Sequence, residues 1–207
     1  MIAIVDYGVG NLASIANMLK KVGGGGEVTR DADVIGSAHG IILPGVGHFD
    51  HCARRLRDSG LLSVIMPRVR KERVPLLGIC VGMQLLARGS EEGVEPGLDW
   101  VPGMVRRLQP EAGTKLPVPH MGWARVHPRE SSPLFDAKEP ERFYFVHSFH
   151  FVCDDEADVA AWAEYGTRFV ASVRHDNVFG TQFHPEKSHR FGMALMRRFA
   201  ALARERA

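Results

Sequence analysis

Short apolar runs alternate with helix-period stretches through the first half of the chain. Ile2 to Val5 is an apolar run of strand length. Leu12, Ile15, Leu19 and Val22 follow at helical spacing, and Gly23 to Gly26 ends that helix in what reads as a mobile turn. Glu27 to Thr29 is a second strand candidate and Ile41 to Leu43 a third. Cys52, Leu56 and the run Leu61 to Val69 predict helix with a break near Gly60. Val74 to Ile79 predicts a further buried strand, and the good helix formers from Val81 to Ala87 a further helix. Strand alternating with helix argues an α/β fold on a parallel sheet with right-handed crossovers.

After Gly89 the pattern changes. Glycine and proline punctuate residues 90–120 and leave room only for short strands such as Met104 to Leu108. Pro119 to Trp123 reads as a loop. Arg142 to Phe151 alternates apolar and polar residues as a half-buried strand does. Val159 to Trp162, Phe169 to Arg174 and Val178 to Phe183 are further strands, with a tight turn at Asp176 and Asn177. Ser188 is placed to cap a final helix with a buried stripe of Phe191, Leu195, Phe199 and Leu202. The expected architecture is a mostly parallel central sheet flanked by helices, with extra antiparallel strands from the second half. No linker separates the halves, so residues 1–207 are expected to form a single domain.

Composition narrows the classes. Hydrophobic content of 45% and charged content of 24% are those of an ordinary soluble globular protein. A net charge of +2 gives no reason to invoke nucleic acid or an acidic membrane. No apolar run approaches the roughly 18 residues of a membrane span, and the start M-I-A-I-V-D-Y-G reads as a strand, not a signal peptide. Cys52, Cys80 and Cys153 are too few, and odd in number, for a disulfide framework. A reducing cytoplasmic setting is expected, which would keep a working thiol free.

The candidate chemistry centres on Cys80. It lies between the strand run and the helix run, flanked by Gly78 and Gly82 in the pattern G-x-C-x-G. This is the thiol version of the strand–elbow–helix turn that presents a nucleophile. At the N-terminus of a helix, backbone N–H groups and the macrodipole would favour a thiolate. His184 is the best-placed base. It ends a strand, Pro185 keeps it extended, and Glu186 then falls on the same side to orient the imidazole. Oxyanion donors would come from the N–H of Val81 and from the glycine-rich Gly45–Gly47 loop, which includes Val46. Two other motifs compete. Gly8 to Ala13, with Asp31 about 20 residues on, matches a dinucleotide fingerprint and would imply an oxidoreductase; a Gly-rich strand-to-helix turn is the plainer reading. His48, His51 and Cys52 lack a second ligand pair at metal spacing, so no metal and no cofactor are expected. A cysteine peptidase or related hydrolase would also use a thiol elbow.

G-I-C-V-G-M-Q-L-L with F-H-P-E downstream resembles the triad-type, class I glutamine amidotransferases, and the likeness spans essentially the whole chain. Within that family, D-Y-G-V-G-N, P-G-V-G-H-F, P-H-M-G-W, F-Y-F-V-H-S-F and F-H-P-E-K-S resemble the glutaminase subunits of imidazole glycerol phosphate synthase. The resemblance implies a flavodoxin-like α/β fold, with Cys80 as nucleophile, His184 as acid and base, and Glu186 as its orienter. It implies that Gln84 and the Ser148–Phe149 backbone bind the amino-acid end of glutamine, and that Gly47 lines the oxyanion side. It also implies a heterodimer with a (β/α)8-barrel cyclase subunit that receives the ammonia. Asn11, Trp123, Tyr144 and Lys187 match family positions at that interface, although Trp123 and Tyr144 would also suit a core. The flexible Gly–Val–Gly loop suggests that the partner aims the oxyanion donors by a peptide flip, leaving the isolated chain a weak glutaminase.

Overall fold

A computed structural model describes residues 1–111, 113–130, 132–136 and 141–205. In chain order, the first half runs β1 (Ile2–Val5), α1 (Leu12–Lys21), β2 (Gly26–Thr29), α2 (Ala32–Ser37), β3 (Gly40–Gly45), α3 (Phe49–Asp58), α4 (Leu62–Arg70), β4 (Leu76–Cys80) and α5 (Val81–Gln84). The second half runs β5 (Gly103–Arg107), β6 (His120–Pro128), β7 (Glu141–His147), β8 (Phe149–Cys153), β9 (Val159–Glu164), β10 (Arg168–His175), β11 (Val178–Thr181) and α6 (His189–Arg204).

The described strands join in one mixed sheet, ordered β2-β1-β3-β4-β11-β10-β9-β6-β7, with β8 pairing β10 and β5. Pairings among β2, β1, β3, β4 and β11 are parallel. The remaining pairings are antiparallel. The parallel strands β1, β3, β4 and β11 are buried along their whole length, as continuous apolar runs covered on both faces require. The α/β architecture is therefore the one the alternation of runs implies. Residues Asp176 and Asn177 make the tight turn between β10 and β11, and Asp176 takes a positive φ of 55° there. No helix among the described residues is long and apolar enough to cross a membrane.

Several elements depart from the sequence pattern, each for a local reason. α2 has one buried residue, Ile35, so it carries no stripe to detect. Asp31 starts it, accepting hydrogen bonds from the backbone N–H of Asp33 and Val34. Pro119 to Trp123 is not a loop throughout: His120 opens β6, which runs on to Pro128 with buried and more exposed positions mixed along it. The run Arg142 to Phe151 is two strands, broken at Ser148, because β7 pairs with β6 while β8 pairs with β5 and β10. β11 stops at Thr181, short of Phe183.

The helix after Cys80 is only one turn, Val81–Gln84. The carbonyls of Leu85, Leu86 and Ala87 accept from the backbone N–H of Leu98, Trp100 and Asp99, so a returning loop takes the bonds a longer helix would use. Ser188 makes no side-chain cap for α6. Its hydroxyl donates to the His184 carbonyl at 2.6 Å and accepts from the Tyr144 N–H at 3.0 Å. The buried stripe of α6 is Leu195, Met196, Phe199, Ala200 and Ala203, while Phe191 and Leu202 are half-buried. Burying Phe199 alone contributes on the order of 2–3 kcal/mol. α1 packs on α6 and on the turn Pro185–Lys187, which ties the two ends of the chain together.

Candidate active site

Three adjacent parallel strands deliver the candidate residues to one place. β3 and β4 pair in register so that Gly45 lies beside Cys80, and β4 and β11 pair so that Ile79 lies beside Thr181. The carboxyl ends of β3, β4 and β11 thus project the 44–47 loop, Cys80 and the segment 182–186 into one crevice. That end of an open α/β sheet is where such folds build their sites.

Cys80 sits at φ 56° and ψ −113°, a conformation that a residue with a side chain rarely adopts. Close packing holds it there. A Cβ on Gly82 would stand 1.9 Å from the Leu43 carbonyl oxygen, and one on Gly78 would stand 2.6 Å from the Gly82 oxygen. The glycines of G-x-C-x-G are therefore required by contact with β3 and by the tightness of the elbow itself. With α5 a single turn and no cap bond to the sulfur, little macrodipole stands behind Cys80, contrary to the expectation of a full helix there.

His184 and Glu186 meet as expected but by another route. The chain is extended at His184 and then enters a 3-10 turn, Pro185–Lys187, so the pair is brought together by the turn and not by an extended strand. His184 Nδ1 lies 2.8 Å from Glu186 Oε1, with both side chains almost wholly buried. The Nε2 atom of His184 is buried and makes no hydrogen bond, which leaves it for Cys80 or a substrate. Burial works against the imidazolium, but Cys80 and Glu186 outweigh it and push the His184 pKa up to about 9.

A cleft of about 340 Å³ opens over these groups, lined by Val46, Gly47, Cys80, Val81, Gln84, Ser148, Phe149 and His184. Every residue expected to act on the oxyanion or to bind glutamine therefore borders one space. The 44–47 loop is held from beneath: the Tyr7 hydroxyl donates to the Pro44 carbonyl, and the Cys52 thiol donates to the Val46 carbonyl at 3.3 Å. Burial pushes the Cys52 thiol up to about 11, so it keeps the proton it donates. Gly47 takes φ 88°, which only glycine adopts freely.

Gln84 is buried, and its amide donates to the Phe149 carbonyl at 3.1 Å and to Gln182 Oε1 at 3.0 Å. The Ser148 carbonyl accepts from the Leu108 N–H. Sequence reasoning missed three residues here. Gln182, fully buried, points its amide nitrogen at the Cys80 sulfur at 3.8 Å. His147 lines the cleft and donates from Nδ1 to the Phe149 carbonyl at 2.9 Å, while its Nε2 lies 3.2 Å from His120 Nδ1. Glu92 lines the cleft and accepts from the Phe49 N–H at 2.8 Å. No pattern in T-Q-F-H marks Gln182, because β11 ends at Thr181 and the Gln182 amide faces a sulfur far away in the chain.

The competing motifs have other work. The Gly8 N–H donates to Asp6, Arg30 pairs with Asp6, and Asp31 caps α2, so the groups of the dinucleotide fingerprint are engaged within the chain. His48 caps α3, accepting from the Asp50 N–H, and no cluster of metal-ligating side chains occurs among the described residues. Of the expected interface positions, Trp123 is 38% exposed, not core. It stacks on His189 and meets Tyr144 edge-on, and the Lys187 ammonium lies 5.9 Å from the Tyr144 ring centre. Asn11 precedes α1 without a side-chain cap bond.

Comparison with known proteins gives a consistent result. The family described as glutamine amidotransferase class-I matches residues 3–202. The imidazole glycerol phosphate synthase subunit HisH of Bdellovibrio bacteriovorus is 50% identical over 204 residues, covering 98% of this chain and 100% of the relative. The subunit of the same name from Leptospira interrogans is 44% identical over 204 residues, with 98% and 100% covered. A crystal structure of a glutamine amidotransferase shares the fold, with a TM-score of 0.75 at 20% identity over 98% of both chains. With a thiol elbow, a buried His–Glu pair and a family match across nearly its whole length, the chain belongs to the class-I glutamine amidotransferases, in the branch formed by the HisH subunits of imidazole glycerol phosphate synthase.

Proposed function

We propose that this chain hydrolyses glutamine to glutamate and ammonia through a thioester on Cys80, and that it passes the ammonia to a (β/α)8-barrel cyclase subunit. The observation that carries the reading is the meeting of Cys80, the His184–Glu186 pair and the 44–47 loop around one cleft. In the first half-reaction His184 holds, as an imidazolium, the proton given up by the Cys80 thiol, and the sulfur attacks the side-chain amide carbon of glutamine. The N–H groups of Val81 and of the Val46–Gly47 loop stabilise the oxyanion, a contribution of about 3 kcal/mol per donor. His184 returns the proton to the leaving nitrogen, the C–N bond breaks, and ammonia departs. Water, deprotonated by His184, then attacks the thioester and releases glutamate and the thiol.

The amino-acid end of glutamine would lie against Gln84 and the Ser148–Phe149 backbone. Glu92, an acidic side chain on the cleft wall, suits its α-ammonium. Asn11, Trp123, Tyr144 and Lys187 would face the partner. The partner would use the ammonia to form imidazole glycerol phosphate and an aminoimidazole carboxamide ribotide. Ligand on the partner would aim the oxyanion donors, so glutaminase turnover should be low in the isolated chain.

Replacing the nucleophile gives the decisive test. Cys80→Ala should lower glutamate formation by at least about a thousandfold with an unchanged circular dichroism spectrum. Glutamate made at the wild-type rate by this variant would exclude the thioester route. Labelling of Cys80 by a glutamine-like diazo ketone, without cleavage of peptide substrates, separates this reading from a peptidase. Co-purification with the cyclase subunit, and a glutaminase rate that rises when acceptor ligand is added, tests the coupling.

A further inference from the structure

The exposed face of the β6–β7 ribbon changes character along its length. The register sets Met121 opposite Val146, Trp123 opposite Tyr144 and Arg125 opposite Arg142. Alternation puts all six on one face, and the intervening Phe143, Phe145 and His147 are buried on the other. One end of the face is apolar: Met121 is 63% exposed, and Val146 borders the catalytic cleft. The other end is basic. Arg125, Arg142 and Arg190 line a hollow of about 450 Å³ with Trp123 and Phe191, and no acidic side chain lines it.

Two features set these arginines apart from an ordinary solvated surface. Arg125 and Arg142 stand directly opposite each other across the two strands, an arrangement of like charges that costs stability. None of the three makes an ion pair among the described residues, whereas Arg54, Arg57, Arg73, Arg88 and Arg106 each hold a carboxylate. A destabilising juxtaposition beside an exposed methionine and tryptophan has the composition of an interface, in which Met, aromatic residues and Arg are enriched.

We propose that Arg125, Arg142 and Arg190 form the basic end of the docking surface for the partner subunit and take a cluster of aspartate or glutamate side chains on it. The proposal rests on the reading that a partner docks at Trp123 and Tyr144, and it extends that surface two residues further along both strands. Guanidinium groups meet carboxylates in paired hydrogen bonds, so the acidic cluster would fix the orientation of the two subunits and speed their encounter at low salt. The apolar end would remain over the mouth of the cleft, where ammonia leaves.

The test is a titration of the full chain with the barrel cyclase subunit from the same organism at several salt concentrations. Arg142→Glu sets a carboxylate opposite Arg125, so the free chain should melt no lower than wild type. Its complex should be at least about tenfold weaker, with a flatter dependence on salt. Arg125→Ala with Arg190→Ala should weaken the complex in the same direction. Wild-type affinity and salt dependence in all these variants would overturn the arginine assignment while leaving the partner reading intact. Failure of the wild-type chain to bind the cyclase at any salt would overturn the partner reading itself. Saturable binding of inorganic pyrophosphate at the three arginines, with complex formation unaffected by their replacement, would assign the hollow to a small anion and also overturn the proposal.

Discussion

At the scale of single residues, the centre is the cleft where Cys80 and the buried His184–Glu186 pair come together. His184 is raised to about 9 from an ordinary 6.5 because Cys80 and Glu186 outweigh the cost of burial. Removing either neighbour should bring it down. In Cys80→Ala the imidazole of His184, followed by the NMR shifts of its ring protons, should titrate closer to 6.5 than to 9; an unmoved titration would mean that the sulfur does not reach Nε2. The sign for stability follows. A raised histidine contributes its full stabilisation below 6.5 and loses it as pH rises through 9. Glu186→Gln keeps the shape of the orienter and removes its charge. It should reduce kcat for glutamine hydrolysis by on the order of a thousandfold or more, with a smaller change in KM. The pairing of His184 with Glu186 was legible once H-P-E was read beside the thiol elbow, although the 3-10 turn that joins them was not. Gln182 was not, since nothing in T-Q-F-H says that its amide faces a sulfur a hundred or so residues away.

At the scale of elements, the elbow and the Pro185–Lys187 turn carry the geometry. Gly82 lies so close to β3 that an added methyl group would meet the Leu43 carbonyl oxygen. Gly82→Ala should therefore destabilise the chain by about 1–3 kcal/mol in urea unfolding, and displace Cys80 enough to lower kcat. Ser188 joins the turn to β7 through its bonds with His184 and Tyr144. Ser188→Ala leaves a buried carbonyl and a buried N–H without that partner, at a cost of about 1–3 kcal/mol, measurable as a lower melting temperature. A serine before a helix suggests a cap on sequence grounds. The structure spends its hydroxyl on β7 instead, because the 3-10 turn places it against that strand. The one-turn α5 has the same kind of cause. Good helix formers continue to Ala87, but residues 97–101 fold back to take the carbonyls a longer helix would need. Propensity is local and yields to such tertiary bonds.

At the scale of the whole molecule, the two sheet halves differ in what water and protons do to them. The antiparallel half buries His120 and His147, and burial pushes their pKa values down to about 4 and about 3. His120 lies between the rings of Phe145 and Tyr165, so a charge there has little compensation. Between pH 6.5 and about 4 the unfolded chain binds protons that the folded chain refuses. Stability should thus fall as pH drops through that window, by at most about 1.4 kcal/mol per pH unit for each imidazole. Urea unfolding at a series of pH values measures this, and a flat profile across the window would show that neither imidazole is held neutral. The sequence by itself determined the α/β class, the thiol elbow and the His–Pro–Glu pair. Each of these is written in residues close enough along the chain for period, turn chemistry and side-chain reach to decide them. Only the tertiary structure decided that β11 lies beside β4, which brings Cys80 and His184 to one crevice, and that β7 and β8 part at Ser148 to line it. Strand order and register depend on burial shared by segments far apart in the chain, and no local pattern records which of several equally apolar strands will be neighbours.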